Sequence, residues 1–137
     1  MPLSPPYVSA ITAAILIIMQ MALMYSVVRT RWRVRQSLGD GGKQEMLLAI
    51  RRHGNFAENA ALFVAGFALL ELMGAGRLWV AILCAAFVLA RISHLAGLSM
   101  PGKTVNRLRV AGTAGTTFVG VALAARLLFV ALPYLAR

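Results

Sequence analysis

At 137 residues, with 60% of them hydrophobic and only 13% charged, the chain falls well short of the roughly 25% charge typical of a soluble domain. Its mean hydropathy of +0.77 comes in apolar blocks near membrane-spanning length, which predicts a small polytopic helical membrane protein made of one domain. The net charge of +10 does not point to nucleic acid. The basic residues cluster between the apolar blocks, where membrane topology accounts for them, and no aromatic-and-basic binding pattern accompanies them.

The first apolar block lacks a basic n-region and is too long for a signal-peptide core, so it is expected to be a retained span over about 7–28. At about 1.5 Å per residue its length is roughly 33 Å, enough to cross a bilayer core. Pro5 and Pro6 precede it, where missing N–H groups cost little. A basic segment follows, "RTRWRVRQSLGDGGKQE", in which Asp40-Gly41-Gly42 marks a turn. The second span is expected over about 45–73, long enough for its first turns to stand in the headgroup region. "GAGR" is a tight connection that makes antiparallel neighbours of the second and third helices. The third span covers about 78–98, with a break at Pro101-Gly102, and the fourth covers about 105–135.

Four spans put both termini on one side. Arg29, Arg31, Arg33, Arg35, Lys43, Arg51 and Arg52 gather at the first loop, and Lys103, Arg107 and Arg109 at the third. The opposite face holds Arg77 and Arg137, with Arg126 near a helix end where it can snorkel. The positive-inside rule then places the basic loops in the cytoplasm and both termini outside. Tyr25 and Trp32 fall at the inner interface; Tyr7, Trp79 and Tyr134 fall at the outer one. Cys84 is the only cysteine, so it forms no internal disulfide, and its apolar run suits a packing role. Gly112, Thr116, Gly120 and Ala124 form a small-residue row that lets backbones approach closely, within the chain or between subunits.

Polar residues interrupt three of the spans. Arg51, Asn55 and Glu58 share one face of the second helix, Arg91 and His94 one face of the third, and Arg109, Thr113 and Thr116 one face of the fourth. The second and fourth helices leave the cytoplasmic side and the third arrives there, so all three faces stand at one depth. A carboxylate such as Glu58 inside a bilayer costs several kcal/mol unless it is paired or hydrated. One reading is a buried ion pair with Arg91 or Arg51 that fixes helix register. The other is a ligand site, with excess positive charge that an anion completes and arginines suited to gripping carboxylates. His94 is expected to donate or orient a hydrogen bond there. No histidine or acid stands at metal-ligand spacing, so no metal is expected. A transporter is disfavoured, because no helix pair is discontinuous and no inverted repeat shows.

"RRHGNFAEN" resembles the second-helix signature of the MAPEG family, the membrane-associated proteins of eicosanoid and glutathione metabolism. Its pattern Arg-x-His-x-Asn-x-x-Glu is met by Arg51, His53, Asn55 and Glu58. "ARISH" resembles the family's third-helix Arg-x-x-His, and "RVAGTAGTTFVGVALAARLL" its fourth helix with an arginine at the start. The resemblance implies an all-α integral membrane four-helix bundle that assembles as a homotrimer and binds glutathione between subunits at the cytoplasmic side. It implies that Arg51, Asn55, Glu58 and His94 bind the tripeptide, with Arg91 supporting Glu58. Arg29 reaches the ligand from the first helix, with Arg31 as the alternative. Arg109, or alternatively Arg107, stabilises the thiolate. The implied activity is a glutathione transferase or peroxidase acting on lipophilic electrophiles or lipid hydroperoxides from the bilayer. The alternative is a non-catalytic lipid- or glutathione-binding scaffold, as the family also contains. Leu98 stands where some members have tyrosine, and Thr113 and Thr116 replace fourth-helix tyrosines of some relatives.

Overall fold

The computed structural model describes residues 5–100 and 106–135. Four long helices, α1 (Tyr7–Val34), α2 (Gln44–Leu72), α3 (Arg77–Ser99) and α4 (Arg107–Ala131), are followed by a short 3₁₀ turn, Leu132–Tyr134. Each of the four is long and apolar enough to cross a membrane. The expected break at Pro101-Gly102, the start at Val105, and the loop or terminal charges Lys103 and Arg137 lie outside the described residues. Pro133 ends α4 in the 3₁₀ turn, because a proline supplies no backbone N–H to continue the ladder.

The first helix overruns its expected end at Val28 by six residues. Arginine is a good helix former, so Arg29, Arg31 and Arg33 extend the rod rather than entering a loop. The stop comes at Arg35, whose φ of 52° is left-handed, and Gly39, Gly41 and Gly42 also take positive φ. The Arg31 guanidinium donates to the carbonyls of Gln36, Ser37 and Gly39 and binds the loop to its own helix. Asp40 makes the expected turn: its carbonyl accepts from Lys43 N–H and its carboxylate from Gly42 N–H, each at 3.0 Å.

Helix α1 packs mainly on α2 and α3 mainly on α4, with α2 and α3 in contact across the middle. Among the described residues no Cα of α1 comes within 8 Å of one of α4. Phe63 of α2 stacks on Phe87 of α3 with centroids 4.1 Å apart, and Phe67 meets both rings edge-on. Between α3 and α4 glycine sets the distance. A Cβ on Gly97 would collide with the Arg109 backbone, and one on Gly112 with His94 and the Ala90 carbonyl. Gly120 lies against Phe63. The members of the small-residue row at 112 and 120 are therefore engaged within the chain. Lipid tails are as apolar as the helices, so close packing of this kind, rather than solvent exclusion, holds membrane helices together.

The far end of the bundle holds a fixture that no local sequence signal marks. The Glu71 carboxylate, 3% exposed, accepts from Val8 N–H at 3.1 Å, Ser9 N–H at 2.8 Å and Ser9 Oγ at 2.6 Å. The first turn of α1 has no side-chain cap of its own, so α2 supplies one across the interface.

Candidate functional site

Close approach of α3 and α4 brings together the three polar faces at the end of the bundle that carries the first loop. An open cleft of about 330 Å³ forms there, near the lower bound of the roughly 300–1,000 Å³ usual for small-ligand pockets. Arg51, Asn55 and Asn59 line it from α2, Arg91 and His94 from α3, and Arg109, Thr113, Thr116 and Thr117 from α4. Antiparallel travel of α3 past α4 puts Gly97 beside Arg109 and His94 beside Gly112. This register is what aligns Arg91 and His94 with Arg109 and Thr113.

Among the described residues, three guanidinium groups line the cleft and no carboxylate does. Arg91 is only 3% exposed, and its Nε and Nη2 are buried with no partner among the described residues. Glu58 is exposed and outside the cleft lining. The only ion pair at contact distance among the described residues is Arg33 with Glu45 at the first loop. A buried, unpaired guanidinium beside two further cations is an incomplete electrostatic arrangement. Burying a charge without a partner costs several kcal/mol, and a multivalent anion is the species that would complete it.

His94 is 8% exposed. Its Nδ1 lies 3.1 Å from Thr113 Oγ1, and its Nε2 is buried with no partner among the described residues. Asn55 is half-buried, and its backbone carbonyl accepts from Asn59 Nδ2 at 3.0 Å. Arg52 donates to Ser99 Oγ at 3.1 Å and ties the start of α2 to the end of α3.

Of the residues singled out in the sequence, Arg51, Asn55, Arg91, His94 and Arg109 meet in the cleft. Glu58 stands beside it, while Arg107 and Arg29 are exposed and do not line it. Arg31 is engaged with the loop carbonyls. His53 turns toward α1 and meets Gln20 Nε2 at 2.8 Å. Asn59 and Thr117 were not singled out; each lies four residues after a named cleft residue, and that spacing was the available signal. No cluster of three potential metal ligands occurs among the described residues. Leu98 is buried at 5% exposure and brings no hydroxyl to the site.

Residues 9–129 match the MAPEG family. The inner membrane protein YecN of Escherichia coli K12, and the protein of the same name from the O6:H1 strain, are each 35% identical over 91 residues. That alignment covers 66% of this chain and 69% of each relative. No solved structure matches.

Proposed function

This chain belongs to the MAPEG family, and we propose that its cleft binds glutathione and presents the thiolate to a lipophilic electrophile or hydroperoxide from the bilayer. The observation that carries this reading is Arg91, a buried guanidinium with two unpartnered nitrogens between Arg51 and Arg109. Glutathione has two carboxylates, one ammonium and a thiol. Arg51 and Arg91 take the carboxylates, since a planar guanidinium can grip a carboxylate through two parallel hydrogen bonds. Glu58, which makes no ion pair among the described residues, is free for the ammonium. Asn55 and His94 supply hydrogen bonds.

Arg109 stands next to the thiol and favours its anionic form, because a positive charge stabilises the thiolate over the thiol. The S–H proton leaves to water. The sulfur electron pair then attacks the electrophilic carbon, and the leaving group departs with its bonding pair. The assembly is a homotrimer, and a neighbouring subunit presents Arg29, which is exposed on α1 away from its own cleft. The protein is a multi-pass inner-membrane protein with the cleft cytoplasmic and the termini on the opposite side, as the excess of basic residues at the first loop supports.

Purified protein is expected to conjugate glutathione to an aryl halide. Arg109→Ala is expected to lower that rate by about 100-fold, the usual effect of deleting one charge-stabilising donor. Full activity in both Arg109→Ala and Arg107→Ala overturns the thiolate assignment. Leu98, buried where some members place a tyrosine, favours a second reading: a membrane protein that binds glutathione or a lipid without turnover. Thermal stabilisation by glutathione with no product from a panel of electrophiles identifies that case.

A further inference from the structure

Each threonine described in the helices donates its hydroxyl proton to the carbonyl one turn earlier. Thr12 donates to Val8, Thr30 to Ser26, Thr113 to Arg109, Thr116 to Gly112 and Thr117 to Thr113. A hydroxyl has one proton to give and two lone pairs with which to accept. With its proton on the Arg109 carbonyl at 3.0 Å, Thr113 Oγ1 meets His94 Nδ1, 3.1 Å away, as an acceptor. Nδ1 must then carry hydrogen.

A neutral imidazole with hydrogen on Nδ1 has a lone pair on Nε2. That nitrogen is buried and unpartnered at the cleft. The opposite tautomer would leave a buried N–H without an acceptor, a rarer and costlier condition than an idle lone pair. It would also turn a positive N–H edge toward a cleft that Arg91 and Arg109 line as well.

We propose that Thr113 is a positioning residue that locks His94 in the Nδ1–H tautomer, so that Nε2 meets the bound ligand as the acceptor for one of its N–H groups. The cleft then recognises two properties at once. Arginines select for anionic groups, and His94 selects for a donor among them. Carboxylates and a thiolate have no proton to offer, which leaves the ammonium or a peptide N–H. A simple dicarboxylate lacks that donor. The ligand half of this inference rests on the glutathione reading; the tautomer half rests on the protein alone.

Long-range ¹H–¹⁵N NMR of histidine-labelled protein in nanodiscs separates the two neutral tautomers by their nitrogen shifts. His53→Gln leaves one imidazole and assigns the His94 signals. Ligand-free protein is expected to show Nδ1–H. Thr113→Val, which keeps the shape and removes the acceptor, is expected to shift population toward Nε2–H; Thr113→Ser, which keeps the hydroxyl, is expected to hold Nδ1–H. Calorimetry is expected to show glutathione binding weakened by about tenfold in Thr113→Val, the equivalent of one hydrogen bond, and little changed in Thr113→Ser. An Nε2–H tautomer in the unsubstituted protein overturns the lock, and so does a Thr113→Val spectrum identical to it. Nδ1–H in a protein that takes up no glutathione keeps the lock and overturns both the ligand half and the glutathione reading.

Discussion

Replacing Arg91 with methionine separates the two meanings of its burial. The guanidinium is 3% exposed, two of its nitrogens are buried without partners, and Glu58 is beyond contact distance. Exchanging buried ionic groups for apolar side chains of similar volume is often stabilising, by about 1–4 kcal/mol. Each unmade buried hydrogen bond alone is a loss of about 1–3 kcal/mol. Methionine fills the volume of the arginine stem without either penalty. Arg91→Met is therefore expected to stabilise the ligand-free protein by about 2 kcal/mol and to raise its Tm by several degrees. The sign reverses with ligand. Glutathione at 100 times its Kd stabilises the unsubstituted protein by about 2.7 kcal/mol. Loss of a charged contact of about 3 kcal/mol weakens binding roughly 100-fold, which leaves the variant a gain of about 0.4 kcal/mol at the same concentration. Thermal unfolding in detergent, with and without glutathione, reads both effects. A ligand-free variant destabilised by several kcal/mol would show that an acid pairs with Arg91 in the assembled protein, and the vacancy for an anion would not exist.

Further outcomes follow from the same geometry. Glu71→Ala removes the carboxylate that holds Val8 and Ser9, an expected loss of about 3 kcal/mol from charge-assisted hydrogen bonds. Cys84, 3% exposed and packed near Val8 and Thr12, should then be alkylated about 100-fold faster; an unchanged rate would show that α1 docks without Glu71. Gly97→Ala drives a methyl into the Arg109 backbone and is expected to cost about 1–3 kcal/mol and to weaken glutathione binding, measured by thermal shift and calorimetry. On the proposed trimeric arrangement, Arg29→Ala is expected to weaken glutathione binding about tenfold, as loss of one charged contact, without altering the Tm of the ligand-free protein.

Much of the candidate site is legible in the sequence. Charged and amide side chains in an apolar helix must face a shared interior, and helical spacing with alternating direction was enough to bring Arg51, Asn55, Arg91, His94 and Arg109 to one level. Glu71 was not legible. A carboxylate near a helix end reads as an interfacial charge, and nothing local indicates that the first turn of α1, far away in the sequence, will claim it. The end of α1 departs from the hydropathy pattern for a different reason. Hydropathy marks where apolar character stops at Val28, but arginines propagate a helix, and only the left-handed turn at Arg35 ends it.

What the sequence by itself determined is the solvent and the level. Sixty per cent hydrophobic residues in four blocks require a bilayer, and the depth of each polar face follows from its distance along its helix. What only the tertiary structure decided is which polar atoms find partners. Arg91 and Glu58 have matching depth, yet no contact forms, while Glu71 is fully engaged. The glycines at 97 and 112 bring α3 against α4 closely enough for Thr113 to reach His94. Depth is a one-dimensional property that a helix converts directly from residue number. Partnership depends on helix rotation and separation, which close packing of side chains from distant segments sets.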